Sequence, residues 1–147
     1  MPEEAVPPTR SGWRNVTTVP AFSDESSHPP GTESIVQRGE GRIDLGRMGE
    51  AVAAAVLCGR GAVVVDRNAS VGSGEIDLIV RFGRQRVVVE VRSTTGELGL
   101  DRRFPHSKLR QVGRLAATVG VDRVDLVGVA IHPDRVDVHW LRDVPCH

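Results

Sequence analysis

The chain has 147 residues, 39% of them hydrophobic, and its 19 basic side chains balance its 19 acidic ones. No apolar run is long enough to cross a bilayer, so a membrane span is excluded and one soluble domain of ordinary size is expected. Cys58 and Cys146 lack metal-ligand spacing and are too few and too far apart to suggest a disulfide framework, so neither is assigned a role.

Residues 1–41 hold six of the nine prolines, are rich in Ser, Thr and Glu, and show neither helical nor strand periodicity. They are expected to be a disordered Pro-, Ser- and acid-rich extension, with residues 42–147 forming the folded domain. A translation start placed too far upstream would equally account for such a tail. A basic start, an apolar run and a small-residue cleavage site are missing, so no secretory signal is read and a cytoplasmic protein is expected. Neutrality also hides a division: residues 1–41 carry three Arg against six acids, while 42–147 carry sixteen basic against thirteen acidic residues. That excess is compatible with a polyanionic partner without demanding one. With three Phe, two Trp and no Tyr, base stacking on an aromatic platform is not expected, and phosphate contacts would dominate.

The folded part opens with a helical pattern over 44–59, capped by Asp44, with Leu45, Met48, Val52, Val56 and the alanines supplying an apolar face and Gly59 ending it. A short strand over 62–66 and a polar turn through Asn68 and Gly72 follow. Two further strands, 75–81 and 86–92, flank the turn-like Gly83-Arg84 and complete an antiparallel meander. Gly at the first central position suits a type II′ turn. In these strands Ile76, Leu78 and Val80 are expected on one face with Val87, Val89 and Val91, and Asp77, Ile79, Val88 and Glu90 on the other. Residues 93–106 contain Gly96, Gly99 and Pro105 and read as a loop carrying the basic pair Arg102-Arg103. Leu109, Val112, Ala116 and Val119 recur at helical spacing, with Lys108, Arg110 and Arg114 elsewhere on that helix and Gly120 ending it. Strands over 123–131 and 135–141, joined by His132-Pro133-Asp134, complete an α-β-β-β-α-β-β order.

A two-residue turn at Gly83-Arg84 pairs Asp77 with Glu90 and Glu75 with Arg92. Directly opposed side chains lie roughly 4.5–5.5 Å apart at Cβ, where like charges repel. A divalent cation is the natural compensation for the two acids.

Leu45-Gly46-Arg47-Met48-Gly49-Glu50-Ala51, Asn68, Gly74-Glu75-Ile76-Asp77-Leu78-Ile79, Val88-Val89-Glu90-Val91-Arg92 and Lys108 before a helix together resemble the YraN family, uncharacterised protein family 0102. The resemblance runs from about Asp44 to Leu141. That family is similar to the PD-(D/E)XK nuclease superfamily, which includes Holliday-junction resolvases. It therefore implies a restriction-endonuclease-like α/β core, a mixed central sheet with flanking helices.

Carried over by residue, the resemblance makes Asp77 and Glu90 the motif acids and Glu50 the acid from the first helix, together holding Mg²⁺ or Mn²⁺. Helical periodicity alone does not turn Glu50 toward the other two. Where the family pattern has Lys this chain has Arg92, which stays charged and acts as a phosphate clamp rather than a proton carrier. Eighteen of the nineteen basic residues are Arg, and the one Lys is Lys108, expected to meet a substrate phosphate or to replace the missing amine. Arg102, Arg103, Arg110 and Arg114 are the further nucleic-acid-binding candidates. By analogy with resolvases, a homodimer is compatible with this reading.

Each residue also has a duller role. Arg92 would form a cross-strand ion pair with Glu75, Asp77 and Glu90 would be solvated acids on a wet sheet face, and Glu50 would pair with Arg47. Lys108, Arg110 and Arg114 would be an ordinary solvated helix face. His106, His132 and His139 lack a shared metal spacing, and Trp140, alternating with Val136 and Val138, is expected in the core rather than stacked on a base. Two function classes follow: a divalent-metal-dependent endonuclease acting on DNA or RNA, with branched or structured substrates in view, and a catalytically weakened nucleic-acid-binding or interaction protein on the same fold.

Overall fold

A computed structural model describes residues 15–20, 42–96 and 104–146, with 15–20 and 42–44 described as backbone only. The elements are β1 (Asn15–Pro20), α1 (Arg42–Gly59), β2 (Val63–Val71), β3 (Gly74–Phe82), β4 (Gln85–Thr94), α2 (His106–Thr118), β5 (Val124–Ile131) and β6 (Arg135–Leu141). From α1 onward this is the α-β-β-β-α-β-β order expected, and the strands form one mixed sheet in the order β1-β6-β5-β4-β3-β2. The meander β2-β3-β4 is antiparallel; β4 and β5 run parallel because the chain returns through α2 between them, and β6 turns back antiparallel to β5.

A helix covers each face of the sheet. On one, Ala53, Ala54 and Leu57 of α1 pack on Leu78, Val80, Val87, Val89, Val91, Val127 and Val129. On the other, Val112 and Ala116 of α2 pack on Ile76, Ile79, Val88 and Leu126. The central strands are covered on both sides, which is why β4 and β5 read as nearly unbroken Val and Leu. Trp140 is 3% exposed and stacks on Phe82 with ring centroids 5.8 Å apart, so the core role expected for it holds.

Inside this apolar layer sits Asp125, fully buried. Its carboxylate accepts from Arg123 Nε and Nη2 at 3.0 Å each, from Trp140 Nε1 at 2.9 Å and from the Asp143 N–H at 2.9 Å. A buried charge is tolerable when paired and hydrogen-bonded, and here the network ties β5 to β6 and to the segment after it.

Several local expectations are corrected. Residues 15–20, read as part of a strandless tail, form β1 antiparallel to β6: the β-branched run Val16-Thr17-Thr18-Val19 finds the open edge of β6. The other residues of 1–41 lie outside the described residues. Helix α1 begins at Arg42, so Asp44 falls in its first turn rather than at its cap. Strand β2 does not turn at Asn68 but continues to Val71. A register shift between Val64 and Asp66 inserts one extra residue, and Asn68 takes a φ of 50° without ending the strand. Ile76 does not share a face with Leu78; it packs with the α2 cluster, at a position where β3 is no longer paired with β4.

Candidate active site

The β3–β4 ladder follows the expected register from Phe82–Gln85 to Leu78–Val89 and ends there. At the next residue the Asp77 side chain takes over from the main chain: its Oδ2 accepts the Val91 N–H at 2.9 Å. The expected convergence with Glu90 is reached this way, through a strand that splays. The Asp77 carboxylate lies close enough to Glu90 to help raise its pKa, and the expected Glu75–Arg92 pair does not form because the β3–β4 pairing has ended before it.

Glu90 is 2% exposed, an acid among valines on a central strand. Burial, then the Asp77 charge, pushes its pKa up from 4.5 to about 7 against the opposing pull of Arg92 and Lys108. Arg92 Nη2 lies 2.7 Å from Glu90 Oε2, and Lys108 Nζ lies 3.4 Å from the same atom. Both are ion-pair distances, but neither cation is aligned to donate to Oε2, so this buried oxygen has charge compensation without a hydrogen bond. Arg92 Nη1 also donates to the Val91 carbonyl at 3.2 Å, and Lys108 Nζ reaches Gln111 Oε1 at 3.4 Å. Lys108 stands here because α2 starts beside the end of β4, with Pro105 at its cap and Lys108 in its first turn.

Glu50 approaches from the opposite helix. The backbone of α1 presses onto β4 at Gly49, where an added Cβ would fall 1.6 Å from Ser93 Oγ, so only glycine permits the contact. The adjacent Glu50 thereby faces Asp77, and its pKa is raised first by burial and then by the Asp77 charge. The Asn68 amide, turned so that its nitrogen faces the acids, donates to Glu50 Oε1 at 3.1 Å and to Glu75 Oε1 at 3.3 Å. Asn tolerates the left-handed backbone that this position adopts, and its part beside the acids was not read from the residues, which suggested only a turn there.

The acids are thus linked through Asp77, with Glu90 on one side and Glu50 on the other. Among the described residues no three His, Cys, Asp or Glu side chains close on a single metal-sized space. A hard divalent cation that keeps water and substrate oxygens needs only one or two carboxylates, and Asp77 with Glu90 meets that requirement. The buried Glu90 oxygen without a hydrogen bond is consistent with such an ion.

Arg110 and Arg114 are exposed on α2, while Arg102 and Arg103 lie outside the described residues. The histidines do not assemble: His106 is exposed at the start of α2, and His132 Nε2 lies 3.3 Å from Asp137 Oδ2. Asp125 escaped sequence reading, although an acid inside the run Val124-Asp125-Leu126-Val127 was a visible signal. Its four donors came from residues that no periodicity connects.

Comparison with known proteins brings these features together. The model of uncharacterised protein family UPF0102 matches residues 49–129, which include Glu50, Asp77, Glu90, Arg92 and Lys108. A UPF0102 protein of Anaeromyxobacter dehalogenans is 54% identical over 57 residues, covering 39% of this chain and 42% of that protein. One of Clavibacter michiganensis is 38% identical over 96 residues, covering 58% of this chain and 81% of the relative. One of Nocardioides is 37% identical over 99 residues, covering 64% and 74%. Among solved structures, that titled "Crystal structure of SSO0001" aligns with a TM-score of 0.42 at 20% identity, covering 77% of this chain and 58% of that one. Pyrococcus furiosus SfsA, solved in complex with Ca²⁺, aligns with a TM-score of 0.34 at 12% identity, covering 67% and 62%.

Proposed function

This chain belongs to uncharacterised protein family UPF0102, and we propose that it is a divalent-metal-dependent nuclease hydrolysing phosphodiester bonds in nucleic acid. The observation that carries the reading is the meeting of Asp77 and Glu90 at the point where β3 leaves β4, with Arg92 and Lys108 beside them. Asp77 and Glu90 would hold Mg²⁺ or Mn²⁺, with Asp77 oriented by the Val91 N–H and Glu50 held nearby by the Asn68 amide. When bound, such an ion neutralises charge on the phosphoryl oxygens and lowers the pKa of a water for attack.

The chain's own residues supply the rest. Lys108, on the first turn of α2, presents an ammonium to the scissile phosphate or the leaving oxygen. Arg92 keeps its charge throughout, so its part is to clamp a phosphate oxygen, and proton movement falls to the carboxyls and Lys108. Burial raises the affinity of Glu90 for a proton, so ionisation there is favoured by an incoming cation.

One observation favours the second reading, a nucleic-acid-binding protein whose chemistry has weakened. Arg92 reaches both Glu90 Oε2 and the Val91 carbonyl, which would give the acids internal compensation. The two readings separate in one experiment: the purified chain is incubated with branched DNA, linear DNA and RNA in Mg²⁺, Mn²⁺ or EDTA, beside Asp77→Asn. Metal-dependent products that vanish in the variant support the nuclease. Binding without products in every metal supports the weakened form.

A further inference from the structure

Helix α2 covers the sheet as far as the row through Ile79 and Val88, both buried. In the next row, where Val63, Arg81 and Arg86 stand side by side on β2, β3 and β4, all three residues are exposed. Arg81 and Arg86 are directly opposed, an arrangement in which like charges repel, and Arg84 projects from the turn between them. Arg81 Nη1 donates to the Gly83 carbonyl at 2.8 Å, which fixes its guanidinium near the turn. Among the described residues no ion pair joins Arg81, Arg84 or Arg86 to an acid. Three exposed guanidiniums on one hairpin, without an acid partner of their own, form a local positive patch that an external anion can meet.

Their position relative to the acids gives the anion a shape. Gly83 lies six residues along β3 from Asp77, about 20 Å at the strand rise. Helix α2 starts at Glu90 with Lys108 and ends beside the start of β5, next to Val88, so Arg114 falls about 9 Å along it from Lys108 toward the hairpin. Helix α2 contains no acidic residue, and its Arg110 and Arg114 are exposed. Basic side chains therefore stand toward both ends of this face, with the exposed acid Asp66 paired opposite Ile79 on β2. Phosphates along one strand of a duplex advance about 3.4 Å per base pair, so this span matches about six base pairs. Among the described residues no exposed aromatic ring accompanies the arginines: Trp140 is buried and Phe82 lies beneath Arg123, whose guanidinium is 5.7 Å from its ring centroid. Stacking on unpaired bases is thus disfavoured against backbone contact.

We propose that Arg81, Arg84 and Arg86 form a second phosphate-binding surface that holds a double-stranded arm of the nucleic acid about six base pairs from the acids, reading backbone and not sequence. This rests on the nuclease reading only in taking nucleic acid as the ligand; it does not require cleavage.

The test titrates the full chain with a fluorescent duplex in EDTA across a salt series, so that binding is read without chemistry. The triple variant Arg81→Gln, Arg84→Gln, Arg86→Gln should flatten the plot of log affinity against log salt by up to about 2.7, near 0.9 for each lost phosphate contact. Arg84→Gln alone, at the exposed turn, should flatten it by about 0.9 and guards against misfolding of the triple variant. A charge-matched change of Arg60, Arg67 and Arg135 to Gln should leave the slope near that of the wild type. Unchanged slopes in the hairpin variants, or equal loss in the charge-matched control, would overturn the surface while leaving the acids untouched. A wild-type chain that binds no duplex but binds anionic phospholipid vesicles through the hairpin would overturn the surface and the nucleic-acid reading together.

Discussion

Replacing Glu90 with Gln removes a buried carboxyl whose pKa the fold raises, and its effect on stability has a definite sign. The pKa of Glu90 rises from 4.5 in the free chain to about 7 in the fold, with burial as the first cause and Asp77 as the second. Because the folded value is the higher one, the favourable contribution of the protonated carboxyl is fully present below about pH 4.5. It is lost as the pH climbs through about 7. At 1.36 kcal/mol per pH unit, the displacement amounts to about 3 kcal/mol. Wild type should therefore lose about 3 kcal/mol relative to Glu90→Gln between pH 4.5 and 8. Urea unfolding at half-unit pH intervals in EDTA measures the difference between the two chains. Parallel stability curves would refute the reasoning, since Glu90 would then not carry a proton in the fold at neutral pH. Repeating the series with Mg²⁺ at about 100 times its dissociation constant should restore about 2.7 kcal/mol to the wild type at high pH, and little to the variant.

Asp77→Asn should keep the fold, because an amide oxygen can still accept the Val91 N–H; melting within a few degrees of wild type alongside complete loss of metal-dependent cleavage is the expected pair of results. Lys108→Met removes one of the charges that hold the Glu90 pKa down, so the Glu90 carboxyl signal followed by NMR should titrate at a higher pH than in wild type. Gly49→Ala drives a methyl into Ser93 Oγ and should cost about 1–3 kcal/mol in chemical denaturation; adding Ser93→Gly should recover most of that loss. Asp125→Ala strips Arg123 and the Trp140 N–H of their buried partner and should destabilise the domain by about 3–5 kcal/mol, read as a fall in denaturation midpoint.

Much was legible from local order. The alternation after Leu78 and the Gly83-Arg84 turn fixed the β3–β4 register, because in a hairpin the turn determines every pairing above it. The apolar spacing of Leu109, Val112 and Ala116 announced α2, and an acid on each strand of that hairpin announced the site. What escaped were departures from regularity: the extra residue in β2 and the packing of Ile76 with the α2 cluster rather than with Leu78. The pairing of residues 15–20 with β6 also escaped, since it joins segments more than a hundred residues apart. Periodicity describes a uniform strand and cannot report where one stops being uniform.

Sequence by itself determined the residue types, the hairpin register and the buried face of α2, all of which depend on neighbours within a few positions along the chain. Helix α1 instead buries Gly49, Ala53, Ala54 and Leu57, with the expected Leu45, Met48, Val52 and Val56 only half-buried. Tertiary structure decided how the charges combine. It set Glu90 in an apolar layer that raises its pKa, brought Glu50 to Asp77 through the Gly49–Ser93 contact, and placed Lys108 over the acids by starting α2 at the end of β4. Burial and through-space Coulomb interactions depend on distance and surroundings in three dimensions, and neither quantity is written in the spacing of residues along a chain.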